Sequence, residues 1–347
     1  MERLFLLIFL AAATGLAAAF GASLYAVEMS RPPTRRTFLL GAGAAGLLRA
    51  GASQPSTSVN FAVPEHACDC HTHIFGDPAQ FPFFAGRTYT PEQALPAEMS
   101  HLHAALHMQR VVIVTPSVYG TDNSCTLYGM KARGSNARGV AVIDEKTPAS
   151  ERERLRKAGF RGMRLNLATA GQTDPTIARG RFQIAAGQAR SVQWHVQMFT
   201  SLAVIAGIRD LVIASGIPVV FDHFGGLDAS LGLDQPGFRE LVELVRSGTA
   251  YVKVSGAYRA STHGPDYADV APFAKALIAA NADRVLWGSD WPHPDTTSGH
   301  GAQTPTEVSP LLRIDDGRLL NQLAVWAPDA AVRKKILVDN PARLYGF

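Results

Sequence analysis

The sequence predicts an α/β fold, a single-domain (β/α)8 TIM barrel, on three observations. Eight short runs rich in β-branched and aromatic residues follow one another from residue 68 onward, each about one loop and one helix from the next. The stretches between them carry helical patterns with proline near the start and glycine at the stop. Histidines, a carboxylate and arginines fall at the ends of runs that lie far apart in the chain, as they do when barrel strands deliver side chains to one rim. An open doubly wound sheet is the alternative, but no Gly-x-Gly-x-x-Gly follows an early strand.

Taken in order, the first strand is 68–73, ending in His71-Thr72-His73. Strand alternation places Asp69, His71 and His73 on one face and Cys68, Cys70 and Thr72 on the other. The next strands are 109–115, 138–143 and 160–167, the last carrying Arg164 and Asn166. A fifth strand, 194–199, holds His195 near its start and Gln197 further on. The sixth, 217–223, ends at Asp222 and His223 before Phe224-Gly225-Gly226. A helix is expected over Pro236–Ser247, with Pro236 in its first turn and Gly248 as its stop. The seventh strand, 250–256, leads through Lys253 and Ser255 to Tyr258 and Arg259. The eighth, 284–289, runs into Ser289-Asp290-Trp291-Pro292-His293-Pro294, where the prolines break the strand right after the carboxylate. His101, His103 and His107, on the helix before the second strand, read as a solvated face, and Lys253 as a supporting residue.

The chain has 347 residues, 47% hydrophobic and 18% charged, which is ordinary globular composition. Its net charge of +4 owes much to arginines near the N-terminus, and the body has no Lys/Arg run that would suit nucleic acid. Three cysteines make no disulfide framework, and Cys-x-Cys plus one distant Cys lacks structural-zinc spacing. Residues 1–52 read as an address: an uncharged apolar segment over 4–27, then Thr34-Arg35-Arg36-Thr37-Phe38-Leu39-Leu40 and a short apolar run, which resembles a twin-arginine export signal. Periplasmic export is the expectation, with a start at Met29 favoured over Met1. If the apolar segments are retained, they would contact the membrane or the export machinery. Residues 53–62, rich in Ser, Thr and Gln, read as a linker, and 63–347 as the barrel domain.

The strings Asp69-Cys70-His71-Thr72-His73, Phe160-Arg161-Gly162-Met163-Arg164, Asp222-His223-Phe224-Gly225, Gly288-Ser289-Asp290-Trp291-Pro292-His293 and Asn340-Pro341-Ala342-Arg343-Leu344-Tyr345 carry a resemblance over residues 63–347. The chain resembles the amidohydrolase superfamily, and within it the amidohydrolase-related group that contains 2-pyrone-4,6-dicarboxylate lactonase and sugar lactonases. The resemblance implies a hydrolase that opens a small lactone by attack of an activated water. Asp290 would be the general base. His71, His73 and His223 would polarise the carbonyl, either as hydrogen-bond donors or by holding Zn²⁺. Arg164 would clamp a substrate carboxylate with its two-pronged fork. Tyr89, Ser117, Tyr258 and Arg259 would line the rest of the pocket.

The cofactor is left open between none and one divalent metal, Zn²⁺, on His71, His73 and Asp290. No lysine ends strand four, so a carbamylated-lysine bridge between two metals is not expected, and His195 reads as structural. The positions after strand four (Ala168–Ala170) and after His223 (Gly225, Gly226) offer no arginine, which favours a lactone less acidic than the dicarboxylated pyrone. A metal-dependent decarboxylase or an amide or ester hydrolase on the same barrel is the enzymatic alternative. An exported protein that binds a small acid is the non-enzymatic one.

Overall fold

The computed structural model describes residues 52–169, 171–296 and 304–347; the apolar N-terminal segments and the paired arginines lie outside the described residues. Eight parallel strands form one sheet in sequential order: β1 (Cys68–Thr72), β2 (Arg110–Val114), β3 (Ala137–Ala141), β4 (Phe160–Asn166), β5 (His195–Phe199), β6 (Val219–Phe221), β7 (Ala250–Ser255) and β8 (Val285–Gly288). All eight expected strands are present, with ends within two residues of those read from the sequence. The first and last strands meet where both run out. His73 N–H donates to the Trp291 carbonyl and Asp290 N–H to the His71 carbonyl, each at 2.8 Å. The sheet thereby closes into the expected (β/α)8 barrel.

The barrel is wrapped by α1 (Pro96–Ala105), α2 (Ser124–Arg133), α3 (Ala149–Lys157), α4 (Pro175–Ser191), α5 (Leu202–Ser215), α6 (Phe238–Arg246), α7 (Ala271–Asn281) and α8 (Asp316–Trp326). Local chemistry fixes their starts. At α4, Pro175 opens the first turn and the Asp174 carboxylate accepts from Thr176 N–H at 2.8 Å. The start expected at Pro236 is corrected: α6 begins at Phe238, because Gly237 turns the chain with φ 89°. A Cβ there would sit 2.5 Å from the Leu202 carbonyl oxygen, so only glycine serves. Among the described residues no helix is long and apolar enough to cross a membrane.

Val111, Ile113, Val219, Val252 and Val254 face the helices in the larger apolar core. A smaller cluster of Cys68, Cys70, Val112, Val114, Val140, Val220 and Leu286 fills the barrel interior, with Tyr251 and Tyr345. All three cysteines are free and buried.

The alternation expected for β1 fails at one place. Asp69 pairs with Val111 and Thr72 with Ile113, so three steps on β1 match two on β2. This is a bulge, one extra residue that re-aims the side chains after it. Cys68 and Cys70 turn into the barrel, Asp69 turns out, and His71 and His73 both reach the rim. A period-two pattern carries no sign of the extra residue, which is why Asp69 was expected to share the histidine face.

Asp69 instead holds the bulge from behind. Its Oδ1 accepts from His71 N–H at 3.1 Å and Ser289 N–H at 3.0 Å. Its Oδ2 lies 3.3 Å from His103 Nε2. The solvated reading therefore fits His101 and His107 but not His103, which is buried on this carboxylate. Asp69→Ala would leave two buried N–H groups and one imidazole without an acceptor. It is expected to lower the unfolding free energy by about 2–4 kcal/mol in urea titrations. Asp69→Asn should lose less, since an amide oxygen still accepts both N–H groups.

Ser53, Ser56, Thr57 and Asn60, within the stretch read as a linker, are bonded to the barrel domain. The Trp291 indole N–H donates to the Ser53 carbonyl at 3.3 Å, and the Ser56 and Thr57 hydroxyls donate to Asp315 at 2.7 and 2.6 Å. Asn60 N–H donates to the Asn321 side-chain oxygen at 2.8 Å.

Candidate active site

His71 and His73 arrive from the end of β1, His223 from the turn after β6, and Asp290 from the turn after β8. Their tips converge. Asp290 Oδ1 lies 3.7 Å from His71 Nε2, 3.7 Å from His73 Nε2 and 3.8 Å from His223 Nε2, and all four side chains are buried. Two of the four have left-handed backbones, His223 at φ 48° and Asp290 at φ 67°. Such positions cost a non-glycine residue energy and persist where surrounding structure holds them. Here the holding bonds are Asp290 N–H to His71 O and His293 N–H to Asp290 O. The preceding Gly288 allows the approach, because a Cβ there would sit 2.7 Å from the His71 Cβ.

Asp290 is held as an anion with one oxygen committed. Its Oδ2 accepts from the Tyr258 hydroxyl at 2.6 Å and from Arg259 Nε at 2.5 Å. Burial alone would raise the Asp290 carboxyl, but the Arg259 guanidinium holds it well below the usual carboxylate range. Oδ1 is buried and has no hydrogen-bond partner.

The histidines are neutral. Burial, then the charge of Arg164, lowers His73 to about 3. Burial lowers His223 to about 4, and burial followed by Lys253 lowers His71 well below its ordinary value. His73 Nδ1 lies 2.7 Å from the Val114 carbonyl, which can only accept, so the single ring proton sits on Nδ1 and Nε2 is a bare lone pair. The expectation that His73 donates a hydrogen bond to a substrate carbonyl is corrected by this contact. His223 Nδ1 meets Ser255 Oγ at 3.0 Å, and His71 Nδ1 lies 3.2 Å from both Asp222 Oδ1 and Lys253 Nζ.

A bare imidazole nitrogen and a carboxylate oxygen thus face each other with no proton between them, an arrangement that a cation satisfies. His71 Nε2 is likewise buried without a partner. Imidazoles whose other nitrogen is fixed by a carbonyl or carboxylate are the ones that bind metals well. The donor atoms of His71, His73 and Asp290 lie within 4.8 Å of one another. These three residues fit a single divalent cation.

Beneath the histidines lies a buried ionic layer that the sequence reading did not assemble. Lys253 Nζ donates to Gln197 Oε1 at 2.7 Å and lies 3.2 Å from Asp222 Oδ1. Gln197 Nε2 donates to Asp222 Oδ2 at 3.0 Å, and Arg164 Nε is 3.5 Å from the same oxygen. Burial would raise the Asp222 carboxyl, but the charges of Lys253 and then Arg164 hold it well below its usual range. Arg164 also stacks 5.4 Å from the Phe199 ring centre. His195 stays deep in the barrel against Tyr345, with ring centres 5.3 Å apart, and contributes nothing to the rim.

Tyr89, Ser117, Arg164 and Arg259 line one small cavity with Asp290, His73 and His223, joined by Asn166 and Phe199. Its free volume beside Asp290 is about 10 Å³, the space of one water. Burial pushes the Tyr89 hydroxyl up to about 12, so it stays protonated. Tyr258, expected as a wall of the same pocket, lines the adjoining groove and acts on Asp290, to which its hydroxyl is committed.

A family model described as amidohydrolase matches residues 68–347. A 4-sulfomuconolactone hydrolase from Rhizobium radiobacter is 36% identical over 294 residues, covering 84% of this chain and 93% of its own. A 2-pyrone-4,6-dicarboxylate hydrolase from Comamonas testosteroni is 34% identical over 294 residues, covering 82% and 92%. Among solved structures, an apo crystal structure of an Agrobacterium tumefaciens protein matches with a TM-score of 0.69 at 26% identity, covering 84% of this chain and 99% of that one.

Proposed function

The chain belongs to the amidohydrolase family and is a hydrolase of ester bonds; we propose that it opens a small lactone carrying an acidic group, with Asp290 taking the proton from the attacking water. One observation carries the reading: Asp290 Oδ1, a buried carboxylate oxygen with no hydrogen-bond partner among the described residues, is ringed by three neutral imidazoles, next to a buried arginine.

Arg164 holds the acid group of the substrate and so places the ester carbonyl over Asp290. Arg259 and Tyr258 fix Asp290 through Oδ2, which leaves Oδ1 free to accept a proton in the water-sized space. Asp290 Oδ1 removes the water proton as the oxygen attacks, and returns it to the ring oxygen when the C–O bond breaks. The carboxylate starts far below its usual pKa, which makes it a weak base on its own. A divalent cation held by His71, His73 and Asp290 would supply Lewis-acid chemistry, lowering the pKa of water and polarising the ester carbonyl. Tyr89 and Ser117 line the same cavity.

The test compares a charged with an uncharged lactone. Charge-assisted hydrogen bonds contribute about 1.5–3 kcal/mol. Arg164→Met is therefore expected to raise KM for 2-pyrone-6-carboxylate by about tenfold or more, with a much smaller change on dihydrocoumarin. An equal loss on both would remove Arg164 as the acid clamp.

A further inference from the structure

The space beside Asp290 has room for about one water, so the body of a lactone extends into a neighbouring space. On the Arg164 side a groove of about 740 Å³ opens from the catalytic cavity, and Ser117, Arg164 and Asn166 line both. Beyond those three residues the lining is mostly apolar. Its apolar lining includes Ile143 after β3, Met163 and Leu165 of β4, Phe84, and Ile184 of α4. Phe84 and Ile184 are 52% and 45% exposed, large apolar side chains turned toward solvent on the lips of one groove. A concave, mostly apolar space beside convergent polar groups is the usual form of a small-molecule subsite. Apart from the buried Arg164, the charged groups of this groove, Asp122, Asp144, Glu145 and Arg181, are exposed. A second groove of about 590 Å³ lies on the Arg259 side and takes in Tyr258, Tyr267 and Thr296.

We propose that the groove between Phe84 and Ile184 is a subsite for an apolar arm on the substrate. The substrate class is then a lactone with one acid group at Arg164 and an alkyl or aryl substituent pointing away from Asp290. This rests on the lactone reading above and sharpens it. An arm lying there meets Leu165, Ile143 and Ile184, and each methylene taken out of water contributes about fourfold in affinity.

The probes are 2-pyrone-6-carboxylate and the same ring with a hexyl chain at position 3 or 4. The proteins are the wild-type chain, Ile184→Glu and the conservative Ile184→Leu. Ile184 is half-exposed on a helix, so these changes leave the barrel intact. The wild type is expected to show at least about thirtyfold higher kcat/KM on one hexyl ring than on the bare ring. Ile184→Glu should erase that gain and leave the bare ring unchanged, whereas Ile184→Leu should keep it. Equal kcat/KM on all rings in the wild type would overturn the subsite. So would an equal loss on bare and hexyl rings in Ile184→Glu. If no ring is hydrolysed, the lactone reading falls separately, and calorimetric binding of the same probes decides the groove. Tighter binding of a hexyl ring, lost in Ile184→Glu, supports it; equal binding overturns it.

Discussion

Asp290→Asn is expected to lower kcat for lactone opening by about 10³-fold while the barrel stays folded. The geometry gives reasons for both halves. The amide oxygen can take the place of Oδ2 and still accept from Tyr258 and Arg259. The amide NH₂ then faces the Nε2 atoms of His71, His73 and His223, among them the bare acceptor of His73. No buried polar atom loses its place, but the group can no longer take a proton. Turnover of 2-pyrone-6-carboxylate and a thermal melt, run on the same preparation, check the two halves. Turnover near the wild-type rate would remove Asp290 from the proton transfer.

Lys253→Met should have the largest effect on stability, a loss of about 3–5 kcal/mol. Lys253 and Asp222 are both fully buried and lie 3.2 Å apart. Removing the ammonium leaves the Asp222 carboxylate inside the barrel with Arg164 at 3.5 Å and a neutral imidazole as its remaining charged or polar company besides Gln197. An unpaired buried charge is far more costly than a buried pair that is absent altogether. The double variant Lys253→Met with Asp222→Asn is therefore expected to recover much of the loss. Urea unfolding at neutral pH reads both. A single-variant loss below about 1 kcal/mol would show that the pair does not hold the floor of the site.

The barrel was legible because it is written locally. Eight apolar runs of strand length, punctuated by Gly and Pro, need no knowledge of which strand meets which. The rim residues were legible for the same reason: His71, His73, His223 and Asp290 each sit where a run ends. What stayed hidden depends on contacts between distant positions. The bulge that swings His71 inward is a mismatch of register between β1 and β2, and neither strand records it alone. His103 looked solvated beside His101 and His107 until Asp69 turned out to face it. Lys253 did carry a signal, a lysine inside the apolar run of β7, but nothing in the run names Asp222 and Gln197 as its partners. The proton on His73 was decided by a carbonyl of β2, 41 residues away.

Titrating the acid released from 2-pyrone-6-carboxylate by the wild-type chain, with added Zn²⁺ and again after chelation, tests lactone opening most directly. One equivalent of acid per ring lost, in at least one of the two conditions and abolished in Asp290→Asn, is the predicted result. No acid release from this ring or from small sugar lactones in either condition, or loss of carbon dioxide in place of ring opening, would contradict it.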